Sequence, residues 1–559
     1  MKPLFGMVAL VAMLFVVDLG FGQGPGQPGK GDPKQKDAQP PQPGKVKAAL
    51  VLNAPGAFKG YTLFSPMSSN KSYLIDMDGR VVHSWQGSSS PAMSAYLLPN
   101  GNLFRPATGG PGGKGKGGIA GAGGRLQEIA WDGTIVWDYL FDTDKYMPHH
   151  DAIKLPNGNY LAIVSISKSA EEASAAGRRG GAVMADSLLE IKPRGKDGGD
   201  IVWQWNTWDH LIQDADAAKP NYGKIAENPG LLDINFGGGG FGKGDPGKGK
   251  GDFKGKDKGD PGKGDPKGKD KGKIGPGLGG KGVDWNHCNG LAYNAELDQI
   301  IISVHSFSEF WIIDHSTTTA EAATHKGGKQ GKGGDLLYRW GNPSAYGAGK
   351  AGDRTLFMQH NAHWIPTGLP GAGHILVFNN GPNRPEGTYS SVDEIIPPVD
   401  AKGGYEYKPG VPYGPAKAAW SYTADKKGDF FAQNISGAQR LPNGNTLICS
   451  GPSGIIFEVT PKNEVVWKYV NPGGGGPGAK GPPGGDKKGD FKKGDPKAFD
   501  PKGGEPKKDI FIQPGKGGPG GGGGGLFRAT RIAPEHPALV GKTLTPGSTL
   551  EELLQGKGK

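Results

Sequence analysis

Three histidines fall at matching places in a repeated sequence unit, and imidazole is the side chain with the most chemistry available near neutral pH. His150 lies five residues before Leu155 of an LPNG turn, and His360 lies five before Ile365 of IPTG in a later copy. His287 opens the copy between them, in WNHCNGLAYN, offset by about one residue. With an ordinary pKa of about 6.5, such groups act as neutral nucleophiles, proton donors or cationic clamps on an anion. Three of them would also suit zinc, although no Asp, Glu or Cys sits beside all three. Other copies of the unit carry Met93 and Ser436 at this place, so the repeat itself does not demand histidine. His149 and His363 flank the set and read as shaping its surroundings; His210 and His315 read as loop or strand-end residues.

The elements that must position these rings are strands. One half of the unit is strand, tight turn, strand: YLLPNGNLF (96–104), IKLPNGNYLAIV (153–164) and QRLPNGNTLIC (439–449). Asn and Gly tolerate positive φ, so Pro-Asn-Gly-Asn between apolar runs is hairpin chemistry. The other half is a strand ending in an acidic residue, a polar turn, and a strand carrying Trp, as in LQEIAWDGTIVWDYL (126–140) and IIFEVTPKNEVVWKYV (455–470). Trp85, Trp137, Trp203, Trp340, Trp420 and Trp467 mark six equivalent positions and read as packing anchors. Four short strands per unit make a propeller blade. The expected fold is therefore all-β, a six-bladed β-propeller with long disordered Gly/Lys/Asp/Pro-rich inserts; an open sandwich is the competing architecture. The first unit is short of an inner strand, and LFRATRI (526–532) stands alone at the far end, placed to complete it and close the ring. The first strand of each blade lines the central channel, which would bring the three histidines to one mouth of the axis.

Composition sets the boundaries. The chain has 559 residues, with 102 Gly and 47 Pro concentrated in a few tracts. The expected organisation is a signal peptide (1–22), a disordered linker (23–49), blades (50–236), a low-complexity insert (237–283), further blades (284–471), a second insert (472–525), then the closing strand and tail (526–559). A smaller Gly-rich loop spans 108–124. Lys2, the apolar run Leu4 to Val17 and Gly20-Phe21-Gly22 give the three parts of an export signal, too short for a membrane span, with an uncleaved anchor as the alternative. A periplasmic or secreted location follows from that reading. Nearly all of the formal charge of +11 lies in the inserts, with 12 Lys against 6 Asp in 241–282 and 10 Lys against 6 acids in 472–525. No basic face remains for the core, and no interleaved aromatics are present for base stacking, so nucleic acid is not an expected partner. Cys288 and Cys449 make neither a disulfide framework nor a metal motif, and a single bridge between them stays open. GxxxxGK[ST] is absent, so there is no sign of a P-loop.

YLIDMDGRVVHSW, HHDAIKLPNGNYL around His150, DWNHCNGLAYN around His287 and Asn289, and MQHNAHW around His360 resemble the bacterial arylsulfate sulfotransferases over roughly 58–532. The resemblance implies a six-bladed periplasmic or secreted enzyme. It would move a sulfuryl group from a phenolic sulfate ester to an acceptor phenol, without a nucleotide donor, cofactor or metal. It implies that His360 is the nucleophile, forming a transient sulfohistidine, and that His150, His287 and Asn289 bind the sulfuryl oxygens and assist the leaving phenolate. Two departures stand out. Where the family places a sulfate-contacting Arg, this chain has His305 in IIISVHSFSEF, and a Tyr-Ser-Arg sequence is here Tyr389-Ser390-Ser391. His305 lacks the fork and permanent charge of Arg; nearby Arg384 is the residue expected to compensate. The alternatives are a non-catalytic propeller serving as a binding or scaffold module, and a metal-dependent hydrolase or lyase built on the same histidines.

Overall fold

The Asn side chains of the Pro-Asn-Gly-Asn turns do more than bend the chain. In the first such turn Asn100 and Asn102 donate to Glu128, the carboxylate that ends the third strand of the same sheet. Asn157 and Asn159 do the same to Glu190, and Asn445 to Glu458. Each carboxylate also reaches the next sheet: Glu128 meets Lys154 at 2.7 Å, Glu190 meets His315 at 2.8 Å, and Glu458 accepts from Phe58 N at 2.7 Å. The acidic strand ends noted in the sequence are thus shared between a hairpin and its neighbour, and the buried charge is offset by several hydrogen bonds.

In this computed structural model residues 49–109, 121–142, 144–237, 282–472 and 524–557 are described. The expected signal peptide, nearly all of the linker, and the bulk of both inserts and of the Gly-rich loop lie outside them. Apart from a separate parallel pair, Leu211–Ile212 with Leu232–Asp233, and two added edge strands, the described strands form six antiparallel four-stranded sheets. Blade one runs Leu526–Ile532, Tyr61–Pro66, Lys71–Ile75, Val81–Gln86, so the last strand of the chain is paired beside the first hairpin, as the sequence required. Blade two holds Tyr96–Leu97 to Ile135–Leu140, and blade three Met147–Lys154 to Gly198–Asn206. Blade four holds Cys288–Asn294 to Tyr338–Trp340, blade five His360–Trp364 to Trp420–Tyr422, and blade six Gly437–Arg440 to Val465–Val470. Two short strands go beyond four per blade. Leu50–Asn53 pairs with the outer edge of blade six, and Val283–Asp284 pairs in parallel with Val183 and Met184 of blade three. Val283, assigned to the insert on composition, is therefore sheet.

The six tryptophans lie on the fourth strand of each blade and fasten it to the next. Trp137 Nε1 donates to Gly198 O, Trp203 to Thr317 Oγ1, Trp340 to Pro415 O, Trp420 to Pro461 O, and Trp467 to Met77 O, each acceptor lying one blade onward. Trp85 completes the circuit by an edge-on contact with Trp131 of blade two, at 5.2 Å. Both cysteines are free and buried. No helix among the described residues is long and apolar enough to cross a membrane.

Candidate active site

Entry into the first strand of a blade needs a sharp turn of the backbone, and it is made with positive φ. Met93, His150, His287 and Ser436 have φ of 109°, 57°, 51° and 88°. The shared requirement at the repeat position is thus a left-handed backbone, which histidine tolerates better than most residues. His360 differs, lying between Met358 and Asn361, both left-handed, so the backbone pairs His287 with His150 and sets His360 aside. Irregular pairing accompanies all three: in blade three Ala162 and Val164 of the second strand pair with Ala152 and Pro148 on either side of His150, and the first strands of blades four and five are irregular between Cys288 and Gly290 and between His360 and His363. Such bulges re-aim side chains.

The rings meet. His150 and His287 have centroids 4.7 Å apart, His287 and His305 4.8 Å, and His305 and His360 5.7 Å. Phe527 closes the circle, 6.4 Å from His360 and 6.0 Å from His150. All five side chains are buried. Blades three, four and five supply the imidazoles, and the closing strand of blade one supplies the phenyl ring.

A hydrogen bond to the far side of the His360 ring assigns its proton. Asn380 Nδ2 donates to Ala432 O and Ile435 O, which turns its Oδ1 toward His360 Nδ1 at 2.7 Å. The proton of His360 is then on Nδ1, and Nε2 carries the lone pair. Burial, opposed by the Asn380 bond and helped by His287 and Arg528, pushes the His360 pKa down to about 3. Burial likewise holds His150 and His305 well below the ordinary value, with neighbouring imidazoles adding to the effect. His287 goes the other way. Burial disfavours its charge, but Asp284, at 2.6 Å from Nδ1, and the more distant Asp186 outweigh burial and raise its pKa. Among the clustered imidazoles His287 is therefore the one most disposed to hold a proton, while its neighbours are disposed to stay neutral.

Behind the ring, Asp186 binds His149 Nε2 at 3.1 Å, accepts from Ser165 and takes Cys288 N–H at 2.6 Å. His149 Nδ1 meets His150 Nδ1 at 2.9 Å, with one proton between the rings. Asn289 donates to Gln359 O at 2.8 Å, and its Oδ1 is buried with no partner among the described residues.

The chain matches the family model described as Arylsulfotransferase (ASST) over residues 62–468. It belongs to the arylsulfotransferase family. An arylsulfotransferase-like activity, with aryl sulfate and phenol as the substrate classes, comes with that membership. No curated protein matches the chain. Among solved structures it is similar to a protein of unknown function from Bacteroides caccae (10% identity, 74% of this chain and 93% of that one, TM-score 0.36). It is also similar to the periplasmic gluconolactonase of Pseudomonas aeruginosa (11%, 73% and 96%, TM-score 0.34) and to an inactive virginiamycin B lyase variant from Staphylococcus aureus (8%, 75% and 87%, TM-score 0.29). Likenesses this remote say nothing of chemistry.

One feature of this family member belongs to none of the sequence motifs. Arg528, next to Phe527 on the closing strand, reaches across the axis. It donates to Asp151 Oδ2 at 2.6 Å, Tyr96 Oη at 2.9 Å and Asn289 O at 3.3 Å. It sets a permanent charge beside the imidazoles, which is the property His305 lacks. Arg384, the residue expected to supply that charge, bonds Tyr389 O and Ser391 Oγ and stacks on the Tyr389 ring at 4.4 Å. The zinc alternative has little geometric basis at the channel. Among the described residues, the grouping of three ligand atoms within 4.8 Å of one another is His210, His325 and Asp335, away from the ring.

Proposed function

We propose that the enzyme transfers the sulfuryl group through His360 in two displacements. His360 Nε2 attacks sulfur of the aryl sulfate; the N–S bond forms as the S–O bond to the ring breaks. The departing phenolate takes a proton from His287. An acceptor phenol then attacks the sulfohistidine, returns its proton to His287, and restores the Nε2 lone pair. His150, His305 and the second N–H of Asn289 would bind the sulfuryl oxygens, whose negative charge is offset by His287 and Arg528. An aryl oxide has a conjugate-acid pKa near that of Tyr, about 10, so modest proton donation suffices.

The observation that carries this reading is the Asn380 bond, which leaves the His360 lone pair on Nε2, near a His287 whose pKa Asp284 raises. The test is mass spectrometry after brief exposure to para-nitrophenyl sulfate. One added sulfuryl group on His360 is expected, absent in His360→Ala together with turnover. Equal turnover in that variant would remove His360 from the mechanism. We also read residues 1–22 as an export signal placing the enzyme in the periplasm or outside the cell; a mature N-terminus beginning after Gly22 is the expected sequencing result.

A further inference from the structure

The outer side of blades three and four carries a second group of imidazoles that the transfer reaction does not use. His210 follows the last strand of blade three and its side chain is 0% exposed. Its Nε2 faces Ala322 O at 2.9 Å. A carbonyl only accepts, so Nε2 carries a proton. The Nδ1 of the same ring is 2.8 Å from Asp335 Oδ1, and His325 Nδ1 is 2.7 Å from that same oxygen. With Nε2 held on the carbonyl, Nδ1 is the ring atom turned to the Asp335 carboxylate, and His325 Nδ1 converges on the same oxygen. An imidazole fixed by one nitrogen on a backbone carbonyl, with the other free to ligate, is the usual outer support of a metal-binding histidine.

The surroundings hold this geometry. The Trp205 indole lies flat along the His210 ring, at 5.8 Å and 11°, and donates to Gly334 O at 2.7 Å, beside Asp335. A Cβ on Gly334 would fall 2.5 Å from His210 Nε2, so only glycine lets the loop approach. Gly334 N also bonds Thr324 O at 3.0 Å, which sets His325 and Asp335 at the two ends of one closed loop. His325 remains 57% exposed and borders a cleft of about 430 Å³ with Trp208 and Tyr222, so a fourth position is open to water.

We propose that His210, His325 and Asp335 form a zinc site clipping the blade-four loop to blade three. Two imidazoles and a carboxylate suit Zn²⁺ and not the oxygen-seeking Mg²⁺ or Ca²⁺. Bonds of about 2.0–2.2 Å require the donors to part by only a few tenths of an ångström, which the exposed His325 can allow. The site lies outside the channel and does not depend on the sulfuryl-transfer reading.

The full chain is stripped with EDTA, given Zn²⁺ alone, passed through a desalting column and analysed for metal. One zinc per chain is expected in the wild type and in His287→Gln. His325→Ala and Asp335→Asn should each weaken binding at least tenfold by titration. With Co²⁺ in place of zinc, the visible bands of a tetrahedral site should appear and be lost in His325→Ala. No retained zinc in the wild type, or wild-type affinity in both loop variants, would overturn the proposal, as would zinc lost in His287→Gln but kept in His325→Ala. His325 is exposed and its replacement is not expected to disturb folding; a thermal melt of the metal-free variant checks this.

Discussion

At the scale of single residues, the decisive question is which nitrogen of His360 holds the proton. Asn380 answers it with an amide whose other end is committed to Ala432 O and Ile435 O. Asn380→Ala should therefore lower kcat by about 10–100-fold, the usual cost of losing an orienting partner, with a smaller change in KM. Steady-state kinetics, with a melt to exclude unfolding, separates these effects. His287 gives a second expectation. Its pKa lies above 6.5 and that of His360 near 3. The acid is protonated below its raised pKa and the nucleophile is neutral above about 3, so kcat/KM for a poor leaving group should be level through mildly acidic pH. It should fall as pH rises through the His287 pKa. In His287→Gln that alkaline fall should vanish and the rate should drop by about 10²–10⁴-fold for unactivated phenols, with para-nitrophenyl sulfate affected far less. The imidazoles could be found in the sequence because they recur at one place in a repeat. Asn380, Asp186 and Arg528 could not, since none belongs to a motif: Asn380 holds His360 of its own blade from a place distant in sequence, while Asp186 and Arg528 act across blades.

At the scale of strands and turns, the repeat was readable because one physical unit is made six times. Alternation, the Pro-Asn-Gly-Asn turns and a Trp per blade each have a local cause. The outermost pairings escaped: Leu50–Asn53 is too short to show a period, and Val283 borders a Gly/Lys tract. The reason for the Trp was also hidden, because the acceptor lies on another blade, a backbone carbonyl for Trp137, Trp340, Trp420 and Trp467 and Thr317 Oγ1 for Trp203. Trp467→Phe removes the bond to Met77 O and leaves a space at a fully buried site where the second ring of the indole stood, so chemical denaturation should show a loss of about 2–3 kcal/mol. His315 makes a stronger joint, bonding Glu190 at 2.8 Å and Asp298 at 2.9 Å. Burial opposes its charge, yet the two carboxylates raise its pKa, and both of theirs are lowered. The histidine's contribution is complete below about 6.5 and is lost as pH rises through its raised pKa. The carboxylates' contribution is complete above their ordinary range and is lost as pH falls through the lowered values. Stability should thus hold level between these limits, and His315→Gln should abolish the alkaline decline while costing about 2–3 kcal/mol at pH 6, measured by denaturation over a pH series.

At the scale of the whole molecule, one strand performs two tasks. Leu526–Ile532 closes the ring by pairing with Tyr61–Pro66, and it brings Phe527 and Arg528 to the imidazoles. It reaches that place from the far side of residues 473–523, yet the two flanks of that tract touch: Asn471 Nδ2 donates to Gly524 O at 3.0 Å. The flanks of the other tract are also adjacent, with Trp285 Nε1 on Phe236 O at 2.6 Å. The fold therefore needs both joins and neither tract. Replacing 238–281 and 473–523 by short Gly/Ser linkers should leave a folded enzyme. Each shortened connection lowers the entropy of closure by about 2 kcal/mol at most, since every halving of a loop is worth about 0.6 kcal/mol, so melting should occur at the same temperature or a few degrees higher. Ending the chain at 472 should do the opposite. It exposes the inner edge of blade one, a strand with unpaired backbone groups, and removes the permanent charge beside His360. Aggregation or a melt lowered by many degrees is expected there, with no aryl-sulfate turnover. Should the excised form unfold while the truncated one keeps its activity, the ring is closed by something other than this strand.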